Sequence, residues 1–313
     1  MEVIRSLEQI TPLDESVVTM GSFDGLHRGH QQIIRMAVSH SHVLHTPACV
    51  VTYHPHPRHI LEPDQPKLPL IMSLDQKLAL LEQLGVERTL VIPFDREFSR
   101  WSAQKFLDEL LWKYFHPQHV IIGYDHHFGW GREGSPEFLR NYCRQKDIRL
   151  EVVAPVSDQG IHISSSHIRT LLQEGYVRRA SFELGWVFGF QARVVHGSGR
   201  GRTLNFPTAN FVPLEENQLL PKSGTYLTRG RVRGQLLYGM CNLGVRPTFG
   251  EGEYVMEVHF FDKNLDGIYD QTILIEFLER IRDEQKFPNK DALIAQLTRD
   301  RETCLQLLEK YRR

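Results

Sequence analysis

The chain has 313 residues, enough for about two domains. Its hydrophobic content of 41% and charged content of 24% are ordinary for a soluble globular protein, and no apolar run reaches the roughly 18 residues of a membrane helix. The net charge of −1 argues against a broad nucleic-acid surface, and Met1–Thr11 lacks the basic-then-apolar pattern of a secretory signal. We therefore expect a cytoplasmic protein that binds neither nucleic acid nor membrane.

Residues 1–182 alternate strand-like and helix-like segments. The predicted strands are 17–20, 50–53, 89–92, 119–122 and 150–153, and the predicted helices are 31–39, 74–84, 102–114 and 137–146. Ser73 and Gln76 have the spacing of a capping box at a helix start, and Gly85 is suited to end that helix. This alternation predicts an α/β domain, a parallel sheet with helices on both faces that binds ligands at the carboxyl ends of its strands.

The segment Gly21–His30 (GSFDGLHRGH) lies between the first of these strands and the first helix. Its glycines allow a sharp turn and a close approach of backbone to a ligand. His27 and His30 are three residues apart at a helix start, where the unpaired N–H groups and the helix dipole favour an anion. The pattern predicts a nucleotide-phosphate site, although a solvated histidine pair after an ordinary glycine turn also fits these residues alone.

Three further segments of the first half fit around such a site. Thr52–Pro57 presents His56 on a turn made rigid by prolines, and Gly123–Gly129 is a turn bracketed by glycines. Ser164–Arg169 opens a helix and offers hydroxyls, backbone amides and the guanidinium of Arg169 to a phosphate. Taken singly, each segment also fits a proline turn, a glycine turn or an ordinary helix cap.

After about Leu184 the pattern changes to short strands punctuated by Gly and Pro, which predicts a small antiparallel β-barrel. The predicted strands are 191–195, 225–232, 236–242, 254–261 and 271–277. Asn289 is suited to cap a last helix, whose apolar stripe we expect to pack on the barrel. The expected domains are therefore residues 1–182 and 183–313.

The block Gly197–Asn210 is the second informative segment. No helix follows its glycines, so a flap over phosphates that carries Arg200 and Arg202 fits better than a dinucleotide-binding turn. Thr208 and Asn210 offer a hydroxyl and an amide oxygen, the kind of ligand that Mg²⁺ prefers. A surface loop with a rigid proline turn is the alternative.

Glu257 is the candidate base of the second half. Strand alternation places it on the face opposite Met256 and Val258, away from the most apolar side of its strand. A lone glutamate on a strand is usually solvated, so the spacing alone does not assign it a role.

The cysteines and the histidine-rich segments do not favour a metal site formed by protein residues alone. The four cysteines lie 63 to 98 residues apart, as expected for reduced thiols in a cytoplasmic protein. Histidines cluster at 40–45 and at 54–59, but no carboxylate or cysteine pattern accompanies them along the chain.

Together these motifs resemble, in order and over nearly the whole chain, those of the prokaryotic bifunctional riboflavin kinase/FAD synthetase family. The family motifs are G-x-F-D-G-x-H-x-G-H, T-F-x-P-H-P, G-x-D/N-F-x-F-G, S-S-T-x-I-R, G-R-G-R-x-L-G-x-P-T-A-N, N-I-G-x-R-P-T and V-E-x-H. The resemblance implies a Rossmann-like nucleotidyltransferase domain that transfers AMP from ATP to FMN, giving FAD and pyrophosphate. It implies a following barrel that phosphorylates riboflavin to FMN with ATP and Mg²⁺.

The resemblance also implies roles for individual residues. Two histidines and an arginine stabilise charge at the α-phosphate of ATP, and a glutamate acts as base toward the 5′-hydroxyl of riboflavin; these positions are His27, His30, Arg169 and Glu257. The implied Mg²⁺ ligands are Thr208 and Asn210. The implied ATP- and flavin-binding positions are Gly21, Phe23, Asp24, Gly25, Gly29, His56, Asp125, Ser164, Ser165, Ser166, Gly199, Arg200, Arg202, Asn242 and Arg246.

The sequence departs from the family pattern in a few places. Ser166 replaces the common Thr and retains a hydroxyl, and Asn205 replaces a glycine. His126 replaces the usual Phe with a titratable ring, which could alter the packing of flavin or adenine. Two alternatives therefore stay open: a riboflavin kinase with an impaired adenylyltransferase half, and a non-catalytic flavin-binding regulator.

Overall fold

The computed structural model describes residues 1–196, 206–246, 253–261 and 268–311. The chain forms two compact units, Met1–Ser165 and Ser166–Arg313. This division falls ahead of the domain boundary expected near residue 182, which stays a prediction. In the described ranges, no helix combines the length and the apolar character needed to cross a membrane.

The first unit is built on a parallel sheet with the strand order β1-β4-β3-β2-β5-β6. Its strands are β1 (Glu2–Ile4), β2 (Ser16–Met20), β3 (Ala48–His54), β4 (Arg88–Pro93), β5 (Pro117–Gly123) and β6 (Arg149–Val153). From β2 the chain adds β3 and β4 on one side, and then returns to add β5 and β6 on the other side. The order therefore switches between β2 and β5, and ligands bind at the carboxyl ends of the strands at such a point.

Helices cover both faces of this sheet. They are α1 (Arg28–Leu44), α2 (Pro57–Leu61), α3 (Leu74–Gln83), α4 (Ala103–Phe106), which continues as a π-helix over Leu107–Phe115, and α5 (Pro136–Gln145). Val17 of β2 lies in one buried cluster with Ile33 and Ala37 of α1. The next residue, Val18, lies in a different cluster with Leu139 of α5. Because neighbouring strand residues point to opposite faces, the predicted two-sided α/β sheet is confirmed.

The capping box predicted at the start of α3 is also confirmed. The Ser73 hydroxyl accepts the N–H of Gln76 at 3.2 Å, and the Gln76 side-chain oxygen accepts the N–H of Ser73 at 3.2 Å. The helix ends at Gln83, and Gly85 follows with a φ of +91°. These two ends fix the position of α3, which carries the buried Lys77 described below.

The second unit contains a closed antiparallel barrel with the strand order β10-β13-β12-β11-β14-β9. Its strands are β9 (Gly189–Val195), β10 (Ala209–Pro213), β11 (Gly224–Val232), β12 (Gln235–Arg246), β13 (Glu253–Phe260) and β14 (Thr272–Arg282). A short hairpin, β7 (Ser157–Asp158) and β8 (Ile161–His162), ends the first unit, and helices α6 (Ser165–Glu174) and α7 (Val177–Leu184) precede the barrel. The predicted barrel is confirmed, and β10 is an additional strand that the sequence analysis did not identify.

The last helix, α8 (Lys290–Leu308), packs as expected. The Asn289 side chain caps it by accepting the N–H of Ala292 at 2.9 Å. Cys304 and Leu308 lie in one buried cluster with Leu227 of the barrel, so the apolar stripe of α8 covers one side of the barrel wall. All four cysteines are buried and carry free thiols.

Candidate active sites

The turn after β2 has a strained backbone, with positive φ angles at two residues that are not glycine. Phe23 and Leu26 have positive φ angles of 47° and 37°, and Gly25 has a φ of 80°. A Cβ on Gly25 would lie 3.0 Å from the Ile71 side chain. Positive φ without steric cost is the property of glycine, so Gly25 is needed here, whereas the two apolar residues are held in place by their surroundings. Such strain is found at ligand sites.

The two histidines of this turn form a stacked pair at the start of α1. Their ring centroids are 3.6 Å apart with an interplanar angle of 20°, and His27 Nδ1 accepts the backbone N–H of His30 at 3.4 Å. Burial lowers the pKa of His27 to about 4, and burial together with the neighbouring His27 and Lys77 lowers the pKa of His30 well below its usual range. Both rings are therefore neutral at pH 7. The buried Nδ1 of His30 has no hydrogen-bond partner within the described residues.

Polar contacts hold the turn in position from several sides. The buried Asp24 carboxylate accepts the N–H of Ile71 at 3.1 Å, and its backbone oxygen accepts the Ser165 hydroxyl at 2.8 Å. The Gln31 side chain donates to the oxygen of Leu26 at 2.8 Å. Two residues that the family resemblance assigned to ligand binding, Asp24 and Ser165, thus also fix the shape of the turn.

Lys77 of α3 is a residue that the sequence analysis missed. Its side chain is 7% exposed, and Nζ donates to the backbone oxygen of Ser22 at 2.6 Å and lies 3.5 Å from the Thr52 hydroxyl. Burial lowers the pKa of Lys77 to about 8, against the opposing attraction of Asp24. A positive charge is therefore buried beneath the glycine turn. A signal was present, since residue 77 lies on the same helical face as the apolar positions 74, 78 and 81.

The segments after β3 and β5 are less enclosed. His56 caps α2 by accepting the N–H of Arg58 at 3.2 Å, and Asp125 is exposed in the loop after β5. His126 stacks on Phe128 with 5.7 Å between ring centroids, and its Nε2 is buried with no hydrogen-bond partner in the described ranges. Burial lowers the pKa of His126 to about 4, so at pH 7 it is a neutral ring in the place of the family's Phe.

The serine-rich motif lies at the division between the units. Ser164 and Ser165 end the first unit, whereas Ser166 and Arg169 are in α6 and belong to the second. The hydrogen bond from Ser165 to the turn after β2 ties the start of this motif to the histidine site.

In the barrel, a row of polar residues crosses three neighbouring strands. Glu257 of β13 pairs with Asn210 of β10 on one side and with Asn242 of β12 on the other. Directly paired residues share a face, with Cβ atoms about 4.5–5.5 Å apart. Met256 and Val258 are buried on the opposite face, whereas Glu257 is partly exposed, so the predicted alternation along β13 is confirmed. We call this row, Asn210–Glu257–Asn242, the barrel row.

His259 supports the barrel row and was not predicted. Its Nδ1 lies 2.8 Å from the backbone oxygen of Pro207, so it fixes the turn that leads into β10. Thr208 follows on that turn, two residues before Asn210, a spacing that puts both side chains on one side of an extended segment. Neutral hydroxyl and amide oxygens fit Mg²⁺ when a nucleotide supplies the phosphate ligands.

Comparison with known proteins identifies the family. The FAD synthetase family matches residues 9–167, and the riboflavin kinase family matches residues 184–308. Bifunctional riboflavin kinase/FMN adenylyltransferase of Bacillus subtilis is 35% identical to the chain, covering 96% of the chain and 94% of that protein. The Escherichia coli protein of the same name is 34% identical, covering 97% of each chain. The chain belongs to the bifunctional riboflavin kinase/FMN adenylyltransferase family.

A solved structure supports the fold of this family member. A crystal structure described as a macrolide-efflux protein from Streptococcus pneumoniae is 32% identical to the chain and superposes with a TM-score of 0.87, covering 97% of this chain and 99% of that one. The match covers both the sheet and the barrel. We do not transfer the efflux function in that description to this chain, because the family matches and the curated relatives are flavin enzymes.

Part of the kinase motif lies outside the described residues. Gly199, Arg200 and Arg202 fall in the range 197–205, so their expected roles stay predictions. Arg246 ends β12, and only its backbone is described. Enzymes of the two matched families use a divalent metal.

Proposed function

We propose that this chain converts riboflavin to FMN in its barrel and FMN to FAD in its parallel-sheet unit, using ATP twice. One observation carries the proposal: each family match coincides with a site of suitable geometry. The FAD synthetase match contains the neutral histidine pair at a helix start, and the riboflavin kinase match contains the barrel row. The curated bifunctional relatives, matched along almost their full length, favour neither the kinase-only alternative nor the non-catalytic one.

In the kinase step, Glu257 accepts the proton of the riboflavin 5′-hydroxyl while that oxygen attacks the γ-phosphate of ATP and ADP leaves. The flanking amides of Asn210 and Asn242 orient the carboxylate and the substrate from neighbouring strands. Thr208 and Asn210 would hold Mg²⁺, which would supply positive charge opposite the phosphates. Phosphoryl transfer depends mainly on such positioning and charge stabilisation.

In the adenylyltransferase step, a phosphate oxygen of FMN attacks the α-phosphate of a second ATP, and pyrophosphate leaves. The neutral rings of His27 and His30 donate hydrogen bonds to the phosphate oxygens at the start of α1, where the helix dipole adds to their effect. Lys77 places a positive charge beneath the turn. The family resemblance assigns a second positive charge to Arg169 of α6. No covalent enzyme intermediate is required, because positioning and charge stabilisation suffice for a direct displacement.

The same proposal places the protein in the cytoplasm, where ATP is available and where its four buried thiols stay reduced. Its partners are then small molecules: ATP, riboflavin, FMN and FAD.

The test is a chromatographic assay of riboflavin, FMN and FAD with purified protein, ATP and Mg²⁺. We expect Glu257→Gln to lower the rate of FMN formation by about 10²–10⁴-fold, the range of a general base, and to leave conversion of added FMN to FAD unchanged. His30→Asn should have the reverse pattern, so that each variant is the control for the other.

Three outcomes contradict the proposal. FMN that accumulates without FAD indicates an impaired adenylyltransferase, and flavin binding without turnover indicates a regulator. If Glu257→Gln forms FMN at the parent rate, Glu257 is not the base of the kinase step.

A further inference from the structure

A second group of titratable residues lies in the first unit, away from the glycine turn. It contains His40 of α1, His119 of β5 and Glu151 of β6. His40 comes ten residues after His30 on the same helix, a separation of about 15 Å along the helix axis. His119 lies near the start of β5, whereas ligands of a parallel sheet bind at the carboxyl ends of its strands.

The spacing of these three residues on α1, β5 and β6 places them in the same helix–sheet contact. Ala37 precedes His40 by three residues on α1, Ile121 follows His119 by two on β5, and Val153 follows Glu151 by two on β6. These three neighbours form one buried apolar cluster between α1 and the sheet. Residues three apart on a helix and two apart on a strand share a face. The polar residues therefore continue the same helix–sheet contact, where an apolar contact would be expected.

The donor atoms of the group converge. His40 Nε2 lies 3.1 Å from Glu151 Oε2, and His119 Nε2 lies 3.6 Å from the same oxygen. All three donor atoms lie within 4.8 Å of one another. Two ligands bound to zinc at 2.0–2.1 Å are about 3.3 Å apart when they subtend a tetrahedral angle. The two measured separations bracket that value.

The burial of His119 is a further sign of a ligand. Its side chain is 2% exposed, and its Nε2 is buried with no hydrogen-bond partner among the residues that the structure describes. Burial, with smaller contributions from His40 and Arg149, lowers the pKa of His119 to about 4. A buried polar atom left unpaired costs free energy, which a bound metal would offset.

We propose that His40, His119 and Glu151 bind a divalent transition-metal ion of the zinc type. Two imidazoles and one carboxylate are a ligand set of zinc and of related first-row metals, whereas Mg²⁺ prefers oxygen ligands. His40 and Glu151 are about one-third exposed, so water can reach the remaining coordination positions. The ion would join α1 to β5 and β6 behind the histidine site, and so stabilise the helix that carries His27 and His30.

The site was invisible in the sequence because its members are distant along the chain. The histidine-rich segment at 40–45 has no carboxylate nearby, and the ligand that completes the group, Glu151, comes from the last strand of the sheet. Only His40 of that segment belongs to the group, whereas His42 and His45 are exposed.

The test uses the full-length protein, stripped of metal with a chelator and dialysed against Co²⁺. We expect the parent to bind one more equivalent of Co²⁺ than Glu151→Gln, with a visible absorption that is lost when Zn²⁺ is added. Zn²⁺ should raise the unfolding temperature of the parent but not that of the variant. The matched control is His42→Gln, an exposed histidine two residues after His40, which should bind as the parent does.

Other histidines and the cysteines contribute equally to the parent and to both variants, so the difference in stoichiometry isolates this group. A circular dichroism spectrum of Glu151→Gln that equals the parent's in the presence of chelator shows that the variant is folded. If it does not fold, His40→Gln replaces a different ligand and gives the same comparison. Equal stoichiometry and affinity in the parent and a folded ligand variant would overturn the proposal, as would a parent that binds no Co²⁺.

Discussion

The two candidate sites differ in where they keep their charged and polar groups. In the parallel-sheet unit, the site itself is buried. His27 and Asp24 in the turn, and Lys77, which donates to the turn from α3, are each less than one-tenth exposed. In the barrel, the row around Glu257 lies on the outer face of the wall, and a largely buried ion pair between Arg282 and Asp300 joins β14 to α8.

This difference separates two ways to prepare a site for phosphate chemistry. Burial strengthens the electrostatic effect of each group but makes every unpaired atom costly, so the turn after β2 must be held by hydrogen bonds from several elements. The side chains of a row on a barrel wall are positioned by the strand register, and they remain hydrated until the substrate binds. We therefore expect changes to buried charge to affect reaction and stability together in the first unit, and stability alone in the second.

Among the changes that test this comparison, Lys77→Met is expected to have the largest effect. The change removes the positive charge beneath the turn and leaves the Ser22 oxygen without its 2.6 Å donor. Formation of FAD from added FMN should fall by about 10²-fold or more, the size of effect seen when one group that stabilises transition-state charge is removed. Formation of FMN from riboflavin should not change. Lys105→Met, which removes an exposed lysine on α4, is the control and should leave both rates at the parent values.

The pH profile distinguishes a charge effect from simple misfolding. Because the pKa of Lys77 is about 8, we expect kcat/KM of the parent for FAD formation to fall as the pH rises through 8. Lys77→Arg keeps its charge above that pH, so whatever activity it retains should not show this decline. A Lys77→Met protein with the parent rate, or an identical alkaline decline in Lys77→Arg, contradicts the role of Lys77.

Asp300→Asn tests the other side of the comparison. The Asp300 carboxylate is 2% exposed and accepts from Arg282 at 2.8 Å and from Gln296 at 2.8 Å. Loss of its charge leaves a partly buried guanidinium uncompensated, which should lower the free energy of unfolding of the second unit by about 3 kcal/mol. The value of kcat for FMN formation should stay at the parent level at a temperature where the variant is folded.

The control for this change is Asp291→Asn, in the exposed first turn of the same helix, where the loss should be about 0.5 kcal/mol. Calorimetry measures both. A fall in kcat equal to the fall caused by a change in the barrel row would show that buried charge and catalysis are coupled in the barrel as well.

Much of the fold could be predicted from the sequence, because local periodicity and the burial of each face agree. The alternation of Val17 and Val18 between two helix layers follows from strand geometry alone, and so does the outward position of Glu257. The strand β10 was missed because Pro207–Asn210 has the residues of a turn, and its pairing with β9 and β13 is a tertiary effect. Strand formation there depends on partners distant in sequence.

The sites were predicted only where their residues are close along the chain. His27 and His30 form a local motif, in which His27 is the N-cap of α1 and its ring accepts the backbone N–H of His30. Lys77 acts on Ser22 across 55 residues, and Glu151 reaches His40 across 111. A charged residue on an apolar helix face, as at position 77, can be recognised without a structure. Because burying an unpaired charge is costly, such a residue predicts a polar partner elsewhere in the chain.

The smallest effect is expected for His126→Phe, which restores the residue usual in the family. The change removes a buried nitrogen without a described partner, so it should raise the free energy of unfolding at pH 7 by about 1 kcal/mol. The folded-state pKa of His126, about 4, lies below the ordinary value of 6.5. As the pH falls from 6.5 to 4, the unfolded chain takes up a proton at His126 and the folded protein does not, so the folded protein loses stability over this range. The variant lacks this loss, so its advantage over the parent should grow by a further 1–2 kcal/mol, an approximate figure, in denaturant titrations at pH 4.

Because His126 is neutral at pH 7, its replacement should leave the rate of FAD formation at pH 7 within about twofold of the parent rate. In that case His126 affects the stability of the first unit, and the adenylyltransferase site tolerates either ring. A much faster variant would instead mean that the polar ring weakens substrate packing in the parent. In that case the first unit would contain one buried polar group that favours its reaction, Lys77, and one that slows it, His126. Burial of polar groups would then no longer distinguish the first site from the barrel site as a whole.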